Sequence, residues 1–309
     1  MNDALETRPS VPDEIAYAAR EGRLVLFVGA GASMLVGMPS WSGLASSALN
    51  SLAKSGFINY SELEQLKKLD PKKQLSIADF ISKENSTSLN LSQYLKAHIE
   101  SSIYNSINSI KATCVTTNYD HELNPQPLED ISSKETKAAV VRKSGAENLQ
   151  AADLKVPGTV IHLHGDISTP GSMIVTTKDY LSHYDNPKVQ HFLKELFKSY
   201  VVVFIGYGLE EAEILEHILR RSGVSNSEQS NEKQRFLLLP FFKNEQALYE
   251  RLKVYHQKSF GVHLIGFARD EKDYRQLEDV IAHWALTLRV RPPALIDDIY
   301  EIDRILNDE

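Results

Sequence analysis

The sequence predicts an α/β protein: a mostly parallel β-sheet with helices on both faces, and a helical insertion in one connection. Two observations carry this. Six short apolar runs, rich in Val, Ile, Leu and Phe and bounded by turn residues, read as buried strands: RLVLFVG (23–29), ATCVTTN (112–118), TVIHLHG (159–165), YVVVFIGYG (200–208), RFLLLPFF (235–242) and GVHLIGF (261–267). The segments between them carry helical patterning, and strands alternating with helices favour parallel pairing through helical crossovers.

Taken in order, a helix over 11–20 leads into the first strand. Helical patterns at 41–55, 61–69 and 91–107 then precede the second strand, more than one crossover needs, so residues 45–110 read as an inserted helical module. Residues 122–156, polar and weakly periodic, read as a loop-rich insertion before the third strand. The short run SMIVTT (172–177) is a candidate edge strand. A helix over 190–198 precedes the fourth strand, and one over 210–221 follows it, with RRSGVSNSEQSNEKQ (220–234) as a surface loop. Helices over 244–253 and 273–288 flank the last strand. After a proline break, residues 293–307 read as an acidic amphipathic helix, either a packing element or a docking one. The whole, 1–309, reads as a single domain whose core is formed by about 22–44, 111–121 and 157–290.

Composition narrows the function. With 309 residues, 42% hydrophobic and 24% charged, the chain can bury a large core. No apolar run reaches the roughly 18 residues of a membrane span, and the first twenty residues lack a basic-then-apolar leader. One cysteine, Cys114, excludes an internal disulfide and a multi-cysteine zinc site. These features point to the cytoplasm. A net charge of −7 without a dense Lys/Arg block argues against a chain built to grip nucleic acid. An anionic small ligand would have to be held by backbone amides and a few local groups.

Four strands end in polar or glycine signals: GAGAS, TTNYD, HLHGD and GYG. In an open parallel sheet, ligands bind outside the carboxyl ends of the strands, where these residues would gather. Gly29 and Gly31 permit a tight turn and close approach of backbone N–H groups to a pyrophosphate, although a plain strand-to-helix turn has the same look. No Lys-Ser/Thr follows them, which excludes a triphosphate P-loop. Met34 stands where a dehydrogenase needs a third Gly or Ala, and no acidic residue occurs between Glu21 and Glu62, so hydride transfer is disfavoured. Asn118 and Asp120 share a face if their strand continues, although such residues are also common turn-formers. His162 and His164, two apart in an extended segment, would point one way, and an imidazole there can serve as general base. Alternatively, His-x-His-x-Asp opens a metallo-hydrolase ligand set; that set usually continues with another His, and here Ile167 follows. Gly206 and Gly208 mark a second close backbone approach. Glu210, Glu211 and Glu213 complement the dipole of the helix that follows.

The ordered set GAGASMLVGMPSW, TTNYD, HLHGD and FIGYGL resembles the sirtuin superfamily over about residues 22–220. In particular it resembles the bacterial sirtuin-like domains that consume NAD in antiphage defence. The resemblance implies a Rossmann-like fold. It implies that Gly29, Ala30, Gly31 and Ser33 hold the NAD pyrophosphate and neighbouring groups, and that the GMPSW segment, with Pro39 and Trp41, forms a flexible cofactor loop. By the same resemblance Asn118 orients the nicotinamide ribose and the attacking water, Asp120 engages the nicotinamide carboxamide, and His164 is the catalytic imidazole. Gly206 and Tyr207 line the adenosine side. Protein-deacylating sirtuins carry a four-cysteine zinc module after the HG motif and a Phe-Arg after the cofactor-loop start. This chain has only Cys114, which precedes that segment, and continues with Ser42-Gly43-Leu44. No zinc is expected, and hydrolysis of NAD to nicotinamide and ADP-ribose outranks deacylation or ADP-ribosyl transfer, with a non-catalytic NAD or ADP-ribose binder as the remaining reading. The resemblance further implies a homo-oligomer activated by a separate protein, an ATPase or a nucleic-acid-guided one; hydropathy and charge, as above, predict no membrane partner and no direct nucleic-acid binding.

Overall fold

In the computed structural model, residues 5–127, 141–208, 214 and 235–291 are described. The helix expected over 210–221 (apart from Ile214), the loop 220–234, the helix 293–307 and residues 128–140 of the loop-rich insertion lie outside them.

Among the described residues, seven strands form one sheet: β1 (Leu24–Val28), β2 (Thr113–Thr116), β3 (Arg142–Ser144), β4 (Val160–His162), β5 (Val201–Ile205), β6 (Arg235–Phe241) and β7 (His263–Ala268). Their order is β3-β4-β2-β1-β5-β6-β7, and every neighbouring pair is parallel. This is a Rossmann-like α/β fold. Thr116 sits beside Val28, Val28 beside Ile205 and His162 beside Thr116, so the central strands finish level with one another. On one side of β1 the chain lays down β2, then the edge strand β3, then β4 between those two, and it returns to the other side of β1 with β5. That reversal creates the crevice where ligands of such sheets bind.

Strand β1 is buried at all five residues because both of its faces are covered. Leu24, Leu26 and Val28 point to one core, packed by α1 (Asp13–Arg20), α2 (Ala30–Leu35), α6 (Ile103–Ile110) and α10 (Gln276–Thr287), with Trp284 at its centre. Val25 and Phe27 point to the other, packed by α7 (Thr177–Tyr184), α8 (Pro187–Ser199) and α9 (Gln246–Phe260). A third core joins α3 (Trp41–Lys54), α4 (Tyr60–Leu66) and α5 (Pro71–Glu84) through Leu44, Leu49, Leu63, Leu75 and Ala78. This is the helical module inserted between β1 and β2.

Three local expectations are corrected. The run 172–177 is not an edge strand: Pro170–Ser172 is a 3₁₀ turn, and Met173 and Val175 are apolar because they pack on the helical module. The edge is instead β3, drawn from the segment read as loop-rich. The helix expected over 91–107 is a short 3₁₀ turn, Ser92–Tyr94, followed by α6. Leu91 and Leu95 pack in the module while Ile103 and Ile107 pack under the sheet, so two apolar sets serving two cores mimicked one helical period. Finally, Trp41 is not in a loop. Ser40 caps α3 by accepting from the Gly43 N–H (3.1 Å), and Trp41 is the first helical residue.

Candidate functional site

The first two glycine turns are built against each other. Gly29 N–H donates to Ile205 O (2.9 Å), and Gly31 N–H donates to Gly206 O (2.8 Å). Gly206 has φ +62°, and a Cβ there would stand 2.6 Å from Ala32 N; a Cβ on Gly29 would stand 2.6 Å from Gly206 O. A side chain on Gly31 would run into the Tyr274 hydroxyl and the Gly206 backbone. The expectation for the GAGAS turn is thereby narrowed. Ala30 and Ser33 line a cavity at the strand ends, whereas Gly29 and Gly31 commit their N–H groups to the end of β5.

Beyond β2, Thr116 turns the chain by donating to Val28 O (2.7 Å) and accepting from the Asn118 N–H (3.0 Å). Asn118 is thereby buried with its amide aimed across the sheet: Nδ2 donates to Gly29 O (2.9 Å) and toward the Tyr104 hydroxyl (3.4 Å). Tyr104 donates to Ser33 Oγ (2.9 Å), because Ser33 itself donates to Asp120 Oδ2 (2.7 Å). The other Asp120 oxygen accepts from the Glu122 N–H (3.1 Å). One hydrogen-bonded chain therefore runs from Asn118 through Tyr104 and Ser33 to a buried carboxylate, each donor polarising the next. Burial, reinforced by the Asp120 charge, pushes the Tyr104 hydroxyl well above the usual tyrosine range, so it stays protonated as a donor. Tyr104 was not singled out in the sequence. Its only signal was a tyrosine on the apolar stripe of α6, whose hydroxyl has to find a partner.

The two histidines do not share a face. Regular strand ends at His162, so alternation lapses before His164. His162 donates from Nδ1 to Asn118 O (2.9 Å) and holds the backbone of that residue. His164 lies among the rings of α7: Tyr180 at 5.1 Å, His183 at 5.7 Å and Tyr184 at 5.8 Å between centroids, with Nε2 2.7 Å from the Tyr184 hydroxyl. Lys72 Nζ sits 3.9 Å from the Tyr180 ring centroid. Burial holds the His164 imidazole far below its ordinary range, and the His183 ring and the Lys72 charge act in the same direction.

The cavity has a volume of about 510 Å³, within the range of small-molecule sites. Asn118, Asp120 and His164 line it, as do Ala30 and Ser33 from the first turn and Gly206 and Tyr207 from the β5 end. Tyr207 stacks on Phe204 (5.6 Å) and meets Phe27 edge-on (5.0 Å), which fixes that wall. Pro39 and Trp41 close it from the start of α3, with Trp41 6.2 Å from Tyr119 and 6.4 Å from Tyr180. Asp70, Pro71 and Lys72 complete it from the start of α5, a contribution absent from the sequence reading. Among the described residues, no group of three or more His, Cys, Asp or Glu is placed to hold a metal ion. No helix among them is long and apolar enough to cross a membrane.

Fold and site together define a Rossmann-like α/β protein with a partly open pocket of mixed polar and apolar lining at its topological switch point. Residues 112–262 match the family model described as a SIR2-like domain. It is 25% identical over 283 residues to defense-associated sirtuin 2 of Bacillus subtilis, covering 86% of this chain and 25% of that protein. It is 24% identical over 294 residues to the NAD(+) hydrolase ThsA of Enterococcus faecium, covering 85% of this chain and 55% of that one. The chain thus spans about a quarter and about half of the length of these two relatives.

Proposed function

We propose that the chain is an NAD glycohydrolase, cleaving NAD to nicotinamide and ADP-ribose, and that it serves antiphage defence by depleting NAD once a separate partner activates it. The observation that carries this reading is the meeting of Asn118 and His164, from two different strand ends, on one cavity of small-molecule size. The names of the two relatives support the same chemistry and setting.

Breaking the nicotinamide–ribose bond builds positive charge on the sugar, so the site has to position a water and stabilise an oxocarbenium-like state away from solvent. In this reading Asn118 orients the ribose and the water. His164 accepts a proton from a ribose hydroxyl, and Asp120, fixed by Ser33, engages the carboxamide of the leaving nicotinamide. Ala30 and Ser33 adjoin the pyrophosphate, and Gly206 and Tyr207 the adenosine side. Pro39 and Trp41 cover the reacting end. Water adds to the anomeric carbon as nicotinamide departs, giving ADP-ribose and a proton.

The test is nicotinamide release from NAD by the purified protein, alone and with its activating partner, with Asn118→Ala as control. Release that vanishes in a folded Asn118→Ala protein supports the reading. Release that needs an acylated protein co-substrate replaces it with deacylation. Thermal stabilisation by NAD without turnover under every condition replaces it with a binding module.

A further inference from the structure

Asn118 is tied to the ends of three neighbouring strands. Its N–H donates to Thr116 Oγ1 of β2 (3.0 Å), and its Nδ2 donates to Gly29 O just beyond β1 (2.9 Å). Its carbonyl accepts from Nδ1 of His162, the last residue of β4 (2.9 Å). We propose that His162 is a positioning residue: its Nδ1–H fixes the Asn118 peptide and so holds the Asn118 amide in the pose from which it meets the ligand. This rests on reading Asn118 as the group that orients the ribose and the water.

The polarity of this contact is set by its chemistry. A carbonyl oxygen only accepts, so the hydrogen lies on Nδ1. In the neutral ring Nε2 is then a bare lone pair, and it is buried with no hydrogen-bond partner among the described residues. The charged and titratable groups around the ring are Arg142, Asp120, Asp166 and His121, whose ring lies 5.8 Å away edge-on. None of them bonds Nε2, so the residue is not placed to pair with a carboxylate. A histidine of 0% exposure with one nitrogen unpaired carries a desolvation cost, and the one donor it supplies is the one aimed at Asn118. The next carbonyl, Tyr119 O, is held by a backbone group instead, the Ile167 N–H (3.0 Å). Thr116 and Gly29 hold Asn118 from the β1–β2 side alone. Without the His162 donor the 118–119 peptide is free to rotate and draw Nδ2 off Gly29 O. The cavity walls that bind the ligand, Trp41 and Tyr207 among them, are untouched by that rotation, so the loss falls on orientation in the reacting state.

The experiment compares two substitutions of His162 in the full chain. Asparagine carries an N–H where histidine carries Nδ1; glutamine, closer to histidine in size, carries its own where histidine carries Nε2. The kcat for nicotinamide release should fall about 10- to 100-fold in His162→Gln, as for a buried carbonyl left without its donor, and stay within about threefold in His162→Asn. KM should stay within about twofold in both. A space-filling role reverses the order, because glutamine fills more of the site. Equal losses, or the smaller loss in His162→Gln, overturn the proposal. The second readout is ¹⁵N NMR of the wild-type imidazoles with the ring neutral, the His162 signals being assigned by their loss in His162→Asn. The proton is expected on Nδ1; a proton on Nε2 overturns the proposal even where a variant fails to fold. The Asn118 side-chain amide signals, assigned by their loss in Asn118→Ala, should shift in His162→Gln and hold in His162→Asn. That pattern in a protein that never releases nicotinamide supports the part given to His162 and overturns the proposed activity alone.

Discussion

Gly206→Ala tests the claim that two turns lock the floor of the cavity. At φ +62° an alanine is in the left-handed region, which costs about 1–2 kcal/mol. The added Cβ would also stand 2.6 Å from Ala32 N and 3.0 Å from Gly31 C, where ordinary contact begins at 3.4 Å. Both neighbours are backbone, so relief has to come from moving one turn off the other. That movement breaks the Gly31 N–H bond to Gly206 O, for about 1 kcal/mol, and disturbs packing for about 1 kcal/mol more. The expected loss is about 3–4 kcal/mol, a large part of the usual 5–15 kcal/mol of a domain. Gly56→Ala supplies the control. Its φ is +75°, yet nothing lies within 4 Å of the added Cβ, so only the strain of about 1–2 kcal/mol should appear. Urea denaturation followed by circular dichroism gives both values, and their difference isolates the clash. Equal losses in the two variants would refute the locked-turn argument.

Other expectations follow from the same geometry. Ser33→Ala removes the hydroxyl between Tyr104 and Asp120 and leaves a buried carboxylate short of a donor, so it should cost about 1–3 kcal/mol in denaturant unfolding. A loss below about 0.5 kcal/mol would mean the chain of donors is not cooperative. His183 is buried without a hydrogen-bond partner at either ring nitrogen, and burial pulls its pKa down to about 4. The unfolded chain, with histidine near about 6.5, then binds more protons than the folded one between those values. Stability should therefore fall as pH drops from about 6.5 to about 4, by about 3 kcal/mol from this residue. His183→Phe should flatten that slope in unfolding measured across the pH range; an unchanged slope would count against a buried neutral His183.

How far the sequence led can be traced residue by residue. The central strands were legible because burial on both faces writes continuous apolar runs, and their endings put Asn118, Asp120, His164 and Gly206 at one edge of the sheet. Strand β3 was not legible: Arg142–Ser144 is three half-buried residues, and nothing apolar marks so short an edge. Helix α5 brings Lys72 to the cavity from an insertion, and such a meeting is set by tertiary packing that no local pattern encodes. Tyr104 and Tyr184 were hidden for a related reason: on an apolar helix face, a tyrosine chosen for its ring cannot be told from one chosen for its hydroxyl. The two histidines misled because the alternation rule was carried two residues past the end of the strand, from His162 to His164.

The inserted module has a consequence for how the pocket could diversify. Its helices carry a core of their own and meet the rest through a narrow seam that includes Tyr119, Met173 and Val175. Trp41, Asp70 and Lys72 project from it over a floor made by the sheet. Selection could thus redraw the roof, and with it the shape and charge presented to a ligand, while the floor and its donors stay fixed. A chimera that exchanges residues 41–84 and retains the seam would be a direct way to retune the pocket.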